Sequence, residues 1–126
     1  MSQVTFNHFD GVPWVDEAKK KAVPAAVSDA AAKAGARRKM LATGETGIYV
    51  QYSELPAGFR IDAHKHSHDE VIMLLSGSCT VDGGTVMRAN DAVCIEGGTE
   101  YGFTAGDDGM VFVTIRGGDS VTNFSK

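Results

Sequence analysis

An all-β fold, a jelly roll or small barrel of short strands, is what this sequence predicts, and three observations carry the expectation. Fifteen glycines against three prolines place many tight turns between short elements. Eight or nine β-favouring runs follow one another at nearly even spacing between residues 38 and 116. The breaks between them include Asp82-Gly83-Gly84, Gly97-Gly98 and Gly106-Asp107-Asp108-Gly109. Asp-Gly and Gly-Gly pairs of this kind close hairpins, because glycine adopts the positive φ that such turns need.

Taken in order, residues 1–36 read as an N-terminal arm and 37–126 as the barrel domain. Residues 16–36 are rich in alanine and lysine, which favour helix, while Pro24 interrupts any single helix there. The arm is therefore expected to be short and partly helical, with Trp14 and Val15 pinning it to the barrel and His8 at the surface. The expected strands are Arg38–Ala42, Ile48–Glu54, Phe59–Ala63, Val71–Leu75, Cys79–Val81, Thr85–Arg88, Ala92–Ile95, Tyr101–Thr104 and Met110–Arg116. Val71–Leu75 is apolar at every position, so both of its faces want cover. The arm or a second subunit would supply it, and a homodimer is expected.

Composition removes several function classes. A formal net charge of −4 gives no basic face for nucleic acid. No apolar run approaches the roughly 18 residues that cross a bilayer, so no membrane partner is expected. The N-terminus lacks a basic stretch followed by an apolar one, and a cytoplasmic location is expected by default. Cys79 and Cys94 both sit in apolar runs and read as buried thiols packing as small hydrophobes.

Three of the four histidines fall within five residues, His64, His66 and His68, and Glu70 follows. Along a strand, side chains at i and i+2 share a face, so His64 and His66 point together and Lys65 points away. Two imidazoles and a carboxylate with open positions form a set that suits Fe(II) and related first-row metals. Arg60 and Asp62 share the parity of His64, and either contact an anionic substrate or pair with each other. His68 reads as a rim residue.

From Gly58 to Gly77 the spacing is G-x5-H-x-H-x3-E-x6-G, through His64, His66 and Glu70. This stretch resembles the first conserved motif of the cupins. The second cupin motif, G-x5-P-x-G-x2-H-x3-N, is similar in spacing to Asn90–Ala105, but Asn90, Glu96, Tyr101 and Ala105 replace its glycine, proline, histidine and asparagine, and Gly98 is kept. The resemblance covers roughly residues 40–116 and implies a double-stranded β-helix barrel with one divalent metal ion inside; from the donor set, iron is expected before manganese, nickel, zinc or copper. It implies His64, His66 and Glu70 as metal ligands, and puts Tyr101 in the place of the missing histidine. Three roles are open to Tyr101: a phenolate ligand, a proton donor or hydrogen-bond partner to substrate, or a packing residue. Phe103 shares its face.

Such a site would act on a small oxygenated organic substrate. The expected enzyme is of the dioxygenase type or of the lyase or isomerase type, with Tyr101 and Glu70 as catalytic residues. The alternative is a non-enzymatic cupin that senses or binds a small ligand or a metal.

Overall fold

The computed structural model describes residues 3–15 and 35–118, together with the backbone of 122–124. The helical turns expected between residues 16 and 36 lie almost wholly outside the described residues. The elements are a 3-10 turn at Phe9–Gly11 and eight strands: β1 (Arg37–Thr43), β2 (Tyr49–Leu55), β3 (Arg60–His66), β4 (Glu70–Val81), β5 (Thr85–Arg88), β6 (Ala92–Ile95), β7 (Tyr101–Arg116) and β8 (Thr122–Phe124). All pairings are antiparallel. One path runs β1-β2-β7-β3-β8, and β4 joins it through β7 while carrying β5 and β6 as its other neighbours. The all-β jelly roll is thus the fold of the chain. Among the described residues, no helix is long and apolar enough to cross a membrane.

Neither the gap expected between Val71–Leu75 and Cys79–Val81 nor the break expected at Gly106–Gly109 is a turn. Ser76-Gly77 lies inside the 12-residue β4, and Gly106–Gly109 inside the 16-residue β7. The β4–β7 register instead shifts between Leu74 and Ser76 and again between Gly77 and Cys79. Gly77 (φ 78°) and Gly109 (φ 71°) are both left-handed, and a Cβ on Gly77 would collide with the Gly109 carbonyl. Glycine here serves bulges that bend two long strands past each other, not hairpins that end them. Asn90, standing where a glycine was expected, also takes a positive φ of 76°, which asparagine tolerates better than most residues. The short β8, beside β3, was not anticipated.

Strand alternation sets the core. On β4, Ile72 and Leu74 face inward and are 5% and 0% exposed, whereas Met73 and Leu75 face outward. Phe103 and Phe112 of β7 meet edge to face at 5.8 Å between centroids, and Met87 and Met110 fill the space around them. Each such side chain contributes about 1.5–3 kcal/mol by leaving water. The same alternation corrects the reading of the thiols: Cys79 is buried, but Cys94 lies opposite Val71 on the outer face and is exposed.

The arm packs outside this barrel. Trp14 bridges Lys39 of β1, and the Val15 amide donates to the Arg38 carbonyl at 2.8 Å. Phe9 and Trp14 close over Tyr52 of β2. Trp14 and Val15 therefore do anchor the arm, and His8 is exposed. The described arm lies on β1 and β2, so it leaves the outer face of β4 uncovered.

Candidate functional site

The site begins with a bulge in β3. Ile61 pairs with Phe103 and His64 with Tyr101, so three steps on β3 face two on β7. The extra residue reverses the parity after Ile61. Arg60 and Asp62 consequently face solvent while His64 and His66 are buried, at 5% and 9% exposure. Of the two roles open to Arg60 and Asp62, the structure shows pairing: Arg60 Nε lies 3.7 Å from Asp62, and its stronger, two-pronged contact is with Asp82 at 2.6 and 2.9 Å. The bulge also places the Asp62 carbonyl 2.7 Å from His64 Nδ1. A carbonyl can only accept, so Nδ1 carries a proton.

β4 enters the barrel at Glu70, which is 3% exposed. The Tyr101 hydroxyl donates to Glu70 Oε1, and Arg116 Nε donates to Oε2 at 2.9 Å. His66 Nε2 stands 3.7 Å from Oε1. The two imidazole rings meet edge to face at 4.8 Å, and the Tyr101 ring is tilted against His64 at 4.6 Å. Phe103 stacks on Tyr101 at 6.2 Å from the apolar side. No buried side-chain nitrogen or oxygen among the described residues is left without a partner.

Burial sets the protonation states. It lowers His66 from its ordinary 6.5 to about 4, against the opposing pull of Glu70, so this ring is neutral at pH 7. Burial, reinforced by the Glu70 carboxylate, pushes the Tyr101 hydroxyl well above its ordinary value of 10. Tyr101 is therefore a phenol that holds its proton and offers it, and in this arrangement it is not a phenolate. Beneath it, a cavity of about 10 Å³ reaches down to Ile72, Val93, Ile95 and Phe103, which is room for about one water molecule.

Two imidazoles and a carboxylate are donors that suit a divalent first-row metal. Their arrangement here does not yet offer one a seat. Glu70 spends one oxygen on Tyr101 and the other on Arg116. Among the described residues, no group of three or more His, Cys, Asp and Glu side chains is placed to hold an ion.

The structure brings together all four residues singled out from the sequence, His64, His66, Glu70 and Tyr101. His68, Glu96 and Glu100 are exposed. The residue that sequence reasoning missed is Arg116. Its signal was available: Phe112, Thr114 and Arg116 share one parity, and a charged residue on an inward face needs a buried partner.

Comparison with known proteins places this geometry. The family model described as "Cupin domain" matches residues 51–116, just over half of the chain. No curated protein matches. Among solved structures, the chain is similar to a sugar phosphate isomerase of the cupin superfamily from Silicibacter pomeroyi, at 18% identity and a TM-score of 0.71, over 94% of this chain and 80% of that one. It is similar to the polyketide cyclase RemF from Streptomyces resistomycificus, at 15% identity and a TM-score of 0.69, over 100% and 86%. It is also similar to KdgF from Halomonas sp., at 18% identity and a TM-score of 0.67, over 93% and 96%. Identities this low speak for the fold alone, whereas the family match, with its His64, His66 and Glu70 spacing intact, settles kinship: the chain belongs to the cupin domain family.

Proposed function

We propose that this protein is an enzyme of the lyase or isomerase type that moves a proton on a small oxygenated organic substrate. The observation that carries the reading is the buried hydrogen bond from the Tyr101 hydroxyl to Glu70, beside two imidazoles. A substrate oxygen that replaces Glu70 as the partner of Tyr101 meets a proton donor. Where that oxygen belongs to a carbonyl, Glu70 Oε1, released from Tyr101, is then a base for the hydrogen on the carbon next to the carbonyl carbon. The carbon–hydrogen pair of electrons moves toward the oxygen, which takes the Tyr101 proton, and the resulting enol can isomerise or eliminate. Arg116 stays on Oε2, so the carboxylate keeps its orientation throughout.

The test is deuterium exchange. Small hydroxy ketones, hydroxy acids and diketones are incubated with the protein in deuterated buffer and followed by NMR. Deuterium is expected at the carbon next to the carbonyl of at least one of them. Tyr101→Phe is expected to abolish exchange while its circular dichroism and melting temperature stay close to wild type. Undiminished exchange in that variant removes Tyr101 from the chemistry.

A second reading keeps a divalent metal, iron first, on His64, His66 and Glu70. What favours it is the pair of imidazoles on one buried face, with His64 oriented by the Asp62 carbonyl. The ion would supply Lewis-acid polarisation, or oxygen activation for a dioxygenase. Elemental analysis of purified protein reads this directly: one equivalent per chain in wild type, lost in His64→Ala, favours the metal, and an empty wild type that takes up none excludes it. A protein that binds a small ligand or metal but turns nothing over returns the chain to a sensing role.

A further inference from the structure

Glu70 uses only one corner of Arg116. The Arg116 Nε donates to Glu70 Oε2 at 2.9 Å, and its two Nη groups make no hydrogen bond or ion pair among the described residues. Those two groups carry most of the donors of a guanidinium. The side chain is only 11% exposed. Yet, among the described residues, no side-chain nitrogen shut away from solvent lacks a partner, so the Nη groups reach open space. A guanidinium held at Nε, buried along its stem and open along its fork is shaped for two-pronged contact with a carboxylate.

The open space is a groove at one end of the barrel. Glu70 begins β4, Ile95 ends β6 and Arg116 ends β7. The register pairs Glu70 with both of the others. A groove of about 510 Å³ lies at this end, lined by all three together with Ile48, Val71 and Gly117. Ile95 also walls the cavity beneath Tyr101, so the groove adjoins the reaction centre. Two more acids line the groove, and neither occupies the fork. Asp69 accepts from the Gly97 amide at 2.7 Å, and Glu96 makes no ion pair with Arg116.

We propose that the Arg116 fork binds a carboxylate of the substrate, which makes the substrate class a short oxo acid. The oxo group rests on the proposed function, in which a substrate carbonyl replaces Glu70 on Tyr101. The length follows from Glu70 itself. Its Oε1 meets Tyr101 and its Oε2 meets Arg116, so one carboxylate spans the two donors. A molecule with its carbonyl on Tyr101 and its acid group on the Nη fork therefore has the two only a few bonds apart. Arg116 keeps Nε on Glu70 meanwhile, and so holds substrate and base in one frame.

Calorimetry and NMR of the full chain test this. The probes are pyruvate and levulinate against their methyl esters, which keep the carbonyl and lose the charge. At least one acid is expected to bind about tenfold or more tightly than its ester. The Arg116 side-chain resonances of wild type are expected to shift with that acid and to stay unmoved with its ester, a readout that needs no turnover. Arg116→Gln is expected to bring acid and ester to nearly equal affinity. Because that variant leaves Glu70 buried without its cation, Arg116→Lys is the second arm. It keeps the charge but not the fork, and is expected to fold normally and lose most of the preference. Equal affinity for acid and ester in wild type overturns the proposal, and so do Arg116 resonances that both acids leave unmoved. Deuterium exchange separates that failure from failure of the proton-transfer reading. Neutral ketones that exchange as fast as the acids remove the acid site and leave the chemistry. Acids held by Arg116 without exchange of any compound keep the acid site and remove the chemistry.

Discussion

Among the described residues, Lys39 and Glu70 are both buried, and they are buried differently. Lys39, 5% exposed, lies under the arm. Its ammonium group donates to the Phe9 carbonyl at 2.7 Å and sits 3.9 Å over the Phe9 ring and 4.7 Å from Trp14. Glu70, 3% exposed, lies inside the barrel against Tyr101, Arg116 and His66. The partners of Lys39 are a carbonyl and two aromatic faces, none of which exchanges a proton near neutral pH. Two of the three partners of Glu70, the Tyr101 hydroxyl and the neutral His66 ring, are a proton donor and a proton acceptor. Burial of a charge does not mark a site by itself. The chemistry of what satisfies the charge separates a fastening from a reaction centre.

The largest effect expected from this contrast is Glu70→Ala. It strands the Arg116 guanidinium in the barrel, and breaking a buried pair from one side costs about 3–5 kcal/mol. Denaturant titration should show that loss, and a cost below about 1 kcal/mol would place water around Arg116 and dissolve the distinction. Next is a dependence on pH that belongs to the inner cluster alone, through His66. The folded pKa of His66 is depressed, from 6.5 to about 4. Between those values the unfolded chain binds a proton that the folded one refuses. The contribution is therefore fully present above pH 6.5 and falls as pH drops toward 4, by about 3 kcal/mol in all. His66→Gln should flatten that part of the stability curve relative to wild type, and Lys39→Met should leave it unchanged.

Lys39→Met is expected to cost only about 1–2 kcal/mol, because an unbranched apolar side chain fills the same box and only the cation–π and single hydrogen-bond contributions are lost. It should leave substrate proton exchange at its wild-type rate. A Lys39 variant that folds normally but loses exchange would break the comparison. Smallest of all is Arg37→Ala. Arg37 stacks over Trp14 at 3.9 Å and pairs with Glu54 at 2.7 Å, but its side chain is half exposed. A loss under about 1 kcal/mol in thermal melts is expected.

Much of the site was legible in the sequence because its first half is local. The two-residue period of a strand is enough to aim His64 and His66 together, and four residues further on Glu70 opens the next strand. Arg116 was not legible in the same way, since it lies 46 residues from its partner and only the pairing of β4 with β7 makes them neighbours. The inward parity of Arg60 and Asp62 failed for a related reason. A bulge is a property of two strands in register, and no period within β3 alone announces it.

By itself, the sequence determined the all-β class, the placement of most strands and the shared face of the histidines. These follow from alternation, turn chemistry and spacing, all of which act within about ten residues. Only the tertiary structure decided that Ser76-Gly77 and Gly106–Gly109 bend strands instead of ending them, that Cys94 faces out, and that Tyr101 and Arg116 divide the Glu70 carboxylate between them. Each of those outcomes depends on which strand lies alongside. Pairing across a barrel is settled by the packing of distant segments, whose identity no local pattern carries.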